Sequence, residues 1–256
     1  MCILFVIQML GYRHVIDEEM IMKMISGVYW EKGGRIFNQD SVTLQQVMTG
    51  RGRVLLAAVS DGIGSLKEGE VASGYILESI VHVFYEQMLG LMYKGKGRKS
   101  LKRCMLRCFY QINQDLNAYA REKEIRLGAT ISVLIIQKRR YMIAHLGDSR
   151  IYLCHGNKMQ KLTTDHASEK GLIRCLGSFG FQQPDVKFGR IFGKKGFLLC
   201  TDGFYRRLKE REAGEILSPC NMQEELWVQR RLSTLGKSVF KQGEQDNCSA
   251  VYVKVW

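Results

Sequence analysis

The chain has 256 residues, 46% hydrophobic and 25% charged, which is ordinary globular material and long enough to bury one large core. Its net charge of +13 raises a nucleic-acid or anionic-membrane reading. No nucleic-acid motif with interleaved aromatics accompanies the basic runs at 94–99, 102–103, 138–140, 206–207 and 230–231, so they read as a solvated surface suited to anionic substrates, and no nucleic-acid partner is expected.

The first ten residues, MCILFVIQML, are apolar but too short to span a bilayer, and they lack the basic start and cleavage site of a signal peptide. Residues 1–23 are therefore an N-terminal extension: an extra strand, a docking segment or the product of an upstream start codon. No other stretch approaches transmembrane length. With two prolines and no Pro/Ser/Gly-rich linker, residues 24–256 read as a single domain, expected to be a cytoplasmic monomer. The eight cysteines, at 2, 104, 108, 154, 175, 200, 220 and 248, form no C-x2-C pair, so they read as buried fillers or free thiols in a reducing compartment.

β-Branched runs between turn residues predict strands over 24–30, 41–48, 53–60, 129–137, 140–146, 150–154, 158–162, 196–201 and 248–255. A hairpin turns at His155-Gly156-Asn157. Helical spacing predicts a helix over 68–91 with Ala72, Ile76, Ile80, Val83 and Phe84 on one face, and another over 99–121 carrying Leu101, Met105, Phe109, Ile112, Leu116 and Tyr119. A third helix is expected over 222–241. Strands, two helices, strands, a helix and a last strand make an α+β layered domain with antiparallel pairs rather than a doubly wound parallel sheet.

Four aspartates stand at strand ends, a place this residue type usually avoids. They are Asp61 in AAVSDGIG, Asp148 in AHLGDSR, Asp202 in LLCTDG and Asp246 in EQDNCSAV. Clustered carboxylates repel one another, and a hard divalent cation with oxygen ligands relieves the repulsion, which is the physical case for Mg2+ or Mn2+. Each is also a plausible turn-former, since Asp before Gly is common in turns, and Arg150 is available to pair Asp148.

Six segments in order, RIFNQD (35–40), VSDGIGSLKEGEVAS (59–73), LGATISVLI (127–135), LGDSRIYL (146–153), LTTDH (162–166) with CTDG (200–203), and DN (246–247), resemble the motifs of the PPM (type 2C) protein phosphatases. The resemblance runs from Arg35 to Val255 and implies an αββα sandwich of two largely antiparallel sheets flanked by helices. The implied activity is hydrolysis of phosphoserine and phosphothreonine in proteins by water activated at two Mg2+ or Mn2+ ions. Asp61 would bridge both metals, the Gly62 carbonyl would hold one, and Asp202 and Asp246 would complete the other. Asp40 would support the centre through metal-bound water, Asp148 would help to hold a weaker third metal, and Arg35 would grip phosphate oxygens with its planar fork. Phosphorylated proteins are the implied substrates and a serine/threonine kinase the implied counterpart, with a compact bacterial look.

Three departures from the family pattern bear on that carry-over. Gln39 stands where many members have Glu, and Ile63 where eukaryotic relatives place a candidate acid, His. The flap that the family inserts after TTDH is shortened to Ala167–Cys175, so the cleft should be more open. His145 and His166 read as packed, hydrogen-bonded histidines rather than ligands. Glu70 reads as a helix-dipole partner. A dinucleotide-binding loop at VLLAAVSDGIGSLKEG is set aside, because the third glycine is misplaced and no acidic strand end follows. The remaining rival is a pseudophosphatase, the same fold binding phosphoproteins without turnover.

Overall fold

Strand β3 (Gly52–Asp61), which follows β1 (Met24–Glu31) and β2 (Asp40–Thr49), is apolar on both sides, so it must lie inside and be covered twice. Its even residues Val54, Leu56 and Ala58 join a helix-covered core, and its odd residues Leu55, Ala57 and Val59 join the layer between two sheets. The computed structural model describes residues 22–169, 171–177 and 180–256. Most of the N-terminal extension thus lies outside the described residues.

The middle of the chain supplies α1 (Gly69–Val83), a π-helical turn (Phe84–Met88), α2 (Leu89–Tyr93), α3 (Arg98–Glu122), β4 (Gly128–Ala129), β5 (Ile131–Gln137), β6 (Arg140–Leu146), β7 (Arg150–His155) and β8 (Lys158–Lys161). Then come β9 (Ala167–Ser168), β10 (Gly171–Leu172), β11 (Leu176–Gly177), β12 (Asp185–Arg190), β13 (Lys195–Cys200), α4 (Asp202–Tyr205), α5 (Glu210–Ile216), a 3-10 turn (Pro219–Asn221), α6 (Glu225–Lys241) and β14 (Cys248–Val255).

Two antiparallel five-stranded sheets form, ordered β1-β14-β13-β7-β8 and β12-β6-β5-β3-β2. Ile136, Ile143, Phe197, Leu199, Val251 and Val253 fill the space between them. Helices α1 and α3 cover the second sheet through Ile76, Ile80, Met105, Phe109 and Ile112, while α6 covers the first through Val228, Leu232, Leu235 and Val239. This is the expected αββα sandwich.

Three local differences have physical reasons. The expected helix over 68–91 contains the π turn, which adds a residue to one turn and keeps Phe84, Met88 and Met92 all buried against the sheet. The expected strand over 129–137 breaks at Thr130, whose backbone and hydroxyl serve Asp61 instead. Strand β12 escapes the sequence reading because it is an edge strand with only Val186 and Phe188 as large apolar residues.

Candidate metal and phosphate site

The β2–β3 hairpin register sets Asp40 directly opposite Asp61, so an antiparallel pairing places two carboxylates side by side at one end of a sheet. Asp61 is held by backbone: its carbonyl accepts the Thr130 N–H at 2.8 Å, and its own N–H donates to Thr130 Oγ1 at 3.1 Å. Directly after it, Gly62 lies against the backbone of Gly69, where a Cβ would collide, so the loop after β3 closes tightly onto the start of α1.

The other sheet delivers the remaining carboxylates. Asp202 begins α4 as the chain leaves β13, and Asp246 precedes β14, the neighbour of β13. Asp148 sits in the β6–β7 turn after Gly147, whose φ of 120° and contact with Thr130 exclude a side chain. Arg35, Asp61, Gly62, Asp148, Asp202 and Asp246 line one cleft of about 150 Å³. Asp40 stands behind it, 2% exposed, where Thr201 Oγ1 donates to its Oδ2 at 2.8 Å and its Oδ1 has no partner.

Charge in this cluster is unbalanced. Burial first, then the charges of Asp40, Asp202, Asp148 and Asp246, push the Asp61 carboxyl well above the usual carboxylate range. Burial likewise raises Asp40 to about 7 against the Thr201 hydrogen bond, and burial with the charge of Asp202 raises Asp148 to about 6. Asp202 is also raised, chiefly by burial, although Arg206 opposes the shift. Adjacent carboxylates at such values want protons or a cation.

Two arginines supply part of the answer. Arg35 grips Asp246 with two parallel bonds, Nε to Oδ1 and Nη2 to Oδ2, each 2.9 Å. Arg206, one helical turn after Asp202, pairs with that aspartate and approaches Glu244 at 3.5 Å and Asp246 at 3.6 Å. Among the described residues, no group of three or more His, Cys, Asp or Glu side chains stands assembled as a ready metal cage. The donor set nevertheless fits a hard cation: it is all oxygen, it is mutually repelling, and it has a buried, unpartnered carboxylate oxygen behind it.

Several residues that hold the cleft together carried no assigned role in the sequence reading. Asn247 accepts the Gln39 N–H on Oδ1 at 2.9 Å and donates Nδ2 to the carbonyls of Lys32 and Phe37, fastening the 32–39 loop. Buried Glu244 accepts the N–H groups of Gln245 and Asp246. Thr130 and Thr201 orient Asp61 and Asp40. Arg206 corrects the sequence reading, which took the 206–207 pair for solvated surface charge. Its i, i+4 spacing from Asp202 was the available signal, hidden because a helix as short as α4 leaves no periodicity.

Arg150 pairs with Asp165 at 2.7 Å, so the structural-turn reading of Asp148 loses its partner. Buried His145 bonds Ser132 Oγ at 2.9 Å and the Thr164 carbonyl at 3.1 Å, and buried His166 accepts the Gly147 N–H at 3.1 Å. The described cysteines are all free, and of these only Cys220 is exposed. No helix among the described residues is long and apolar enough to cross a membrane. Among the described residues, the short strands β9 and β10 pair between His166 and β11.

The fold is an αββα sandwich with an acidic cleft lined by residues from both sheets. Residues 32–238 match the family model described as protein phosphatase 2C, and the chain belongs to the protein phosphatase 2C family. It is 26% identical over 185 residues to the serine/threonine phosphatase stp of Listeria innocua, covering 63% of this chain and 71% of that protein. Identity to protein phosphatase PhpP of Streptococcus pneumoniae is 23% over 244 residues, 86% and 93% of the two chains. The solved catalytic domain of the serine/threonine protein phosphatase PstP, in complex with 2 manganese ions, superposes with a TM-score of 0.72 at 21% identity, covering 91% of this chain and 99% of that one.

Proposed function

We propose that residues 24–256 form one catalytic domain that hydrolyses phosphoserine and phosphothreonine in proteins at a two-metal centre, with Asp61 shared between the metals, the Gly62 carbonyl on one, and Asp202 and Asp246 on the other. The observation that carries this reading is the convergence of four separate strand ends on one cleft, where burial and neighbouring charge hold Asp61 well above the ordinary carboxylate range and raise Asp148 and Asp202 as well. The manganese in the similar PstP domain supports Mn2+ or Mg2+ as the occupant. Divalent cations supply, when bound, an acidified water and a Lewis acid for the phosphoryl group.

The chain's own groups do the rest. Thr130 fixes the Asp61 backbone and Thr201 fixes Asp40, so the carboxylates need little reorganisation when their charge is offset. Asp40 would support the centre from behind, and Asp148, which lines the same cleft, would help to hold a third and weaker cation. Arg35 is half exposed at the cleft edge and turns its fork from Asp246 to the phosphate, two acceptors of the same charge and bidentate geometry. Ile63 leaves no acidic proton donor at that position, so the open cleft admits solvent to the leaving group. The free cysteines support a reducing, cytoplasmic setting, where a serine/threonine kinase would be the opposing enzyme.

Phosphate release from a phosphothreonine peptide, measured on EDTA-stripped protein titrated with Mn2+ or Mg2+, tests the reading. Activity absent without metal and restored by it is expected. Full activity of stripped protein sinks the metal centre, and phosphopeptide binding without turnover at saturating metal identifies a pseudophosphatase. Arg35→Lys keeps the charge and loses the fork, so kcat/KM should fall roughly tenfold to a hundredfold with metal affinity little changed. A collapse of metal binding by calorimetry would assign Arg35 to Asp246 instead.

A further inference from the structure

The floor of the cleft is charged, while the residues that follow two of its lining residues in the chain are apolar and exposed. Arg35, in the loop before β2, and Leu172, at the end of β10, both line the cleft, and each is followed at once by exposed apolar side chains. Ile36 is 82% exposed, the most of any large apolar residue described, with Phe37 at 67% and Ile173 at 56%. Isolated surface hydrophobics need no explanation, but three flanking the same cleft are a patch with an address.

Neither segment is loose. Asn247 ties the carbonyls of Lys32 and Phe37 at 2.8 and 3.0 Å and the Gln39 N–H at 2.9 Å, while the Gly34 N–H donates to the Gln245 carbonyl at 3.0 Å. The backbone on both sides of Ile36 is therefore clamped, and the two side chains are held away from the core rather than left to collapse onto it. In the other segment the Ile173 N–H donates to the His166 carbonyl at 2.7 Å. Rigid presentation lowers the ordering cost of any contact made there.

We propose that Ile36, Phe37 and Ile173 are specificity-determining residues that grip apolar side chains flanking the phosphorylated residue of the substrate peptide. This rests on the phosphatase reading of the cleft. With the phosphate anchored on the floor, the peptide must leave over the rim, and an extended chain advances about 3.3 Å per residue. The residues that meet the rim are thus the near neighbours of the phosphoresidue. The three rim side chains carry no charge to pair, so they select by burying apolar surface and not by ion pairing. The substrate class is a phosphopeptide with Leu, Ile, Val or Phe beside its phosphoserine or phosphothreonine.

The experiment compares two phosphothreonine peptides of equal length, one with Leu and Phe on the two sides of the phosphoresidue and one with Ser and Gly. Wild type should prefer the apolar peptide by about tenfold in kcat/KM, and the variant carrying Ile36→Ser, Phe37→Ser and Ile173→Ser should bring the ratio to within about twofold. An unchanged melting temperature keeps the loss local. No preference in wild type, or a preference that survives in the variant, overturns the proposal. Fluorescence anisotropy with phosphonate analogues of both peptides is run in parallel. If neither peptide is hydrolysed the phosphatase reading fails, and equal affinities in this binding arm then overturn the rim proposal while a tenfold difference upholds it. A dimer in sedimentation that the triple substitution dissolves also overturns it, by making a second copy the occupant.

Discussion

Two regions built around aspartates, one at Asp165 and one at the cleft, differ in how their charge is balanced. Asp165 accepts from Arg150 Nε and Nη2 and from Lys161 Nζ, and Arg150 stacks over the Tyr205 ring with its guanidinium carbon 3.6 Å from the centroid. Partial burial would raise this carboxyl, yet those two cations bring it below its ordinary value. Asp40, Asp61, Asp148 and Asp202 move the other way, because burial and one another's charges outweigh Arg35 and Arg206. The first region is a closed structural pair. In the second, repulsion is retained until a cation arrives, and that difference separates a scaffold from a site.

The sharpest way to break this comparison is to neutralise one member of each region. Asp61→Asn should lose turnover by on the order of a thousandfold or more, since it removes the carboxylate proposed to be shared by both metal positions. Its metal-free form should melt no lower than wild type, because repulsion is relieved. Phosphate release and calorimetric unfolding on the same preparation decide both halves, and wild-type turnover at saturating metal would remove Asp61 from the centre.

Metal itself should separate the regions next. Mn2+ at a hundred times its dissociation constant should stabilise the protein by about 2.7 kcal/mol, through preferential binding to the folded cluster. For a domain of this size each kcal/mol is about 2–4 °C in melting temperature. Asp165→Asn should leave that increment intact, and Asp246→Asn should abolish most of it.

Asp165→Asn has its own signature. It leaves Arg150 half-buried without its carboxylate, at a cost of about 2 kcal/mol, between the values for exposed and fully buried pairs. Urea unfolding reads this directly, and a neutral outcome would mean that the pair adds nothing.

The smallest effect is on pH. Asp40 has a folded pKa of about 7, above its unfolded value near 3.8, so between those limits the native state holds more protons than the unfolded chain. Metal-free protein should therefore gain stability as pH falls from 8 towards 6, by about 1 kcal/mol per pH unit at most from this one group. Excess Mn2+ should flatten or reverse the slope, because protons then compete with metal. Below pH 6.5 the trend weakens: burial lowers His145 to about 4, so its neutral form resists protonation. A slope that is the same with and without metal would detach Asp40 from the cluster.

Much of this molecule is legible from the chain alone, for reasons of local chemistry. The unbroken apolar run from Val54 to Val59 fits a strand covered on both faces, and the spacing of Ile76, Ile80, Met105, Phe109 and Ile112 predicts the helices that cover it. Aspartates at four strand ends point to a cation site because clustered carboxylates repel one another, although each taken alone could equally form a turn. Periodicity says nothing, however, about partners far apart in the chain. Only the sheet order β1-β14-β13 brings Arg35 onto Asp246, 211 residues away, and Thr201 onto Asp40, 161 residues away. The role of Arg206 and the outward clamp on Ile36 and Phe37 by Asn247 belong to the same category. Local pattern sets which face of an element is buried; which side chains meet at its end is decided by the register and stacking of sheets whose strands come from both halves of the chain.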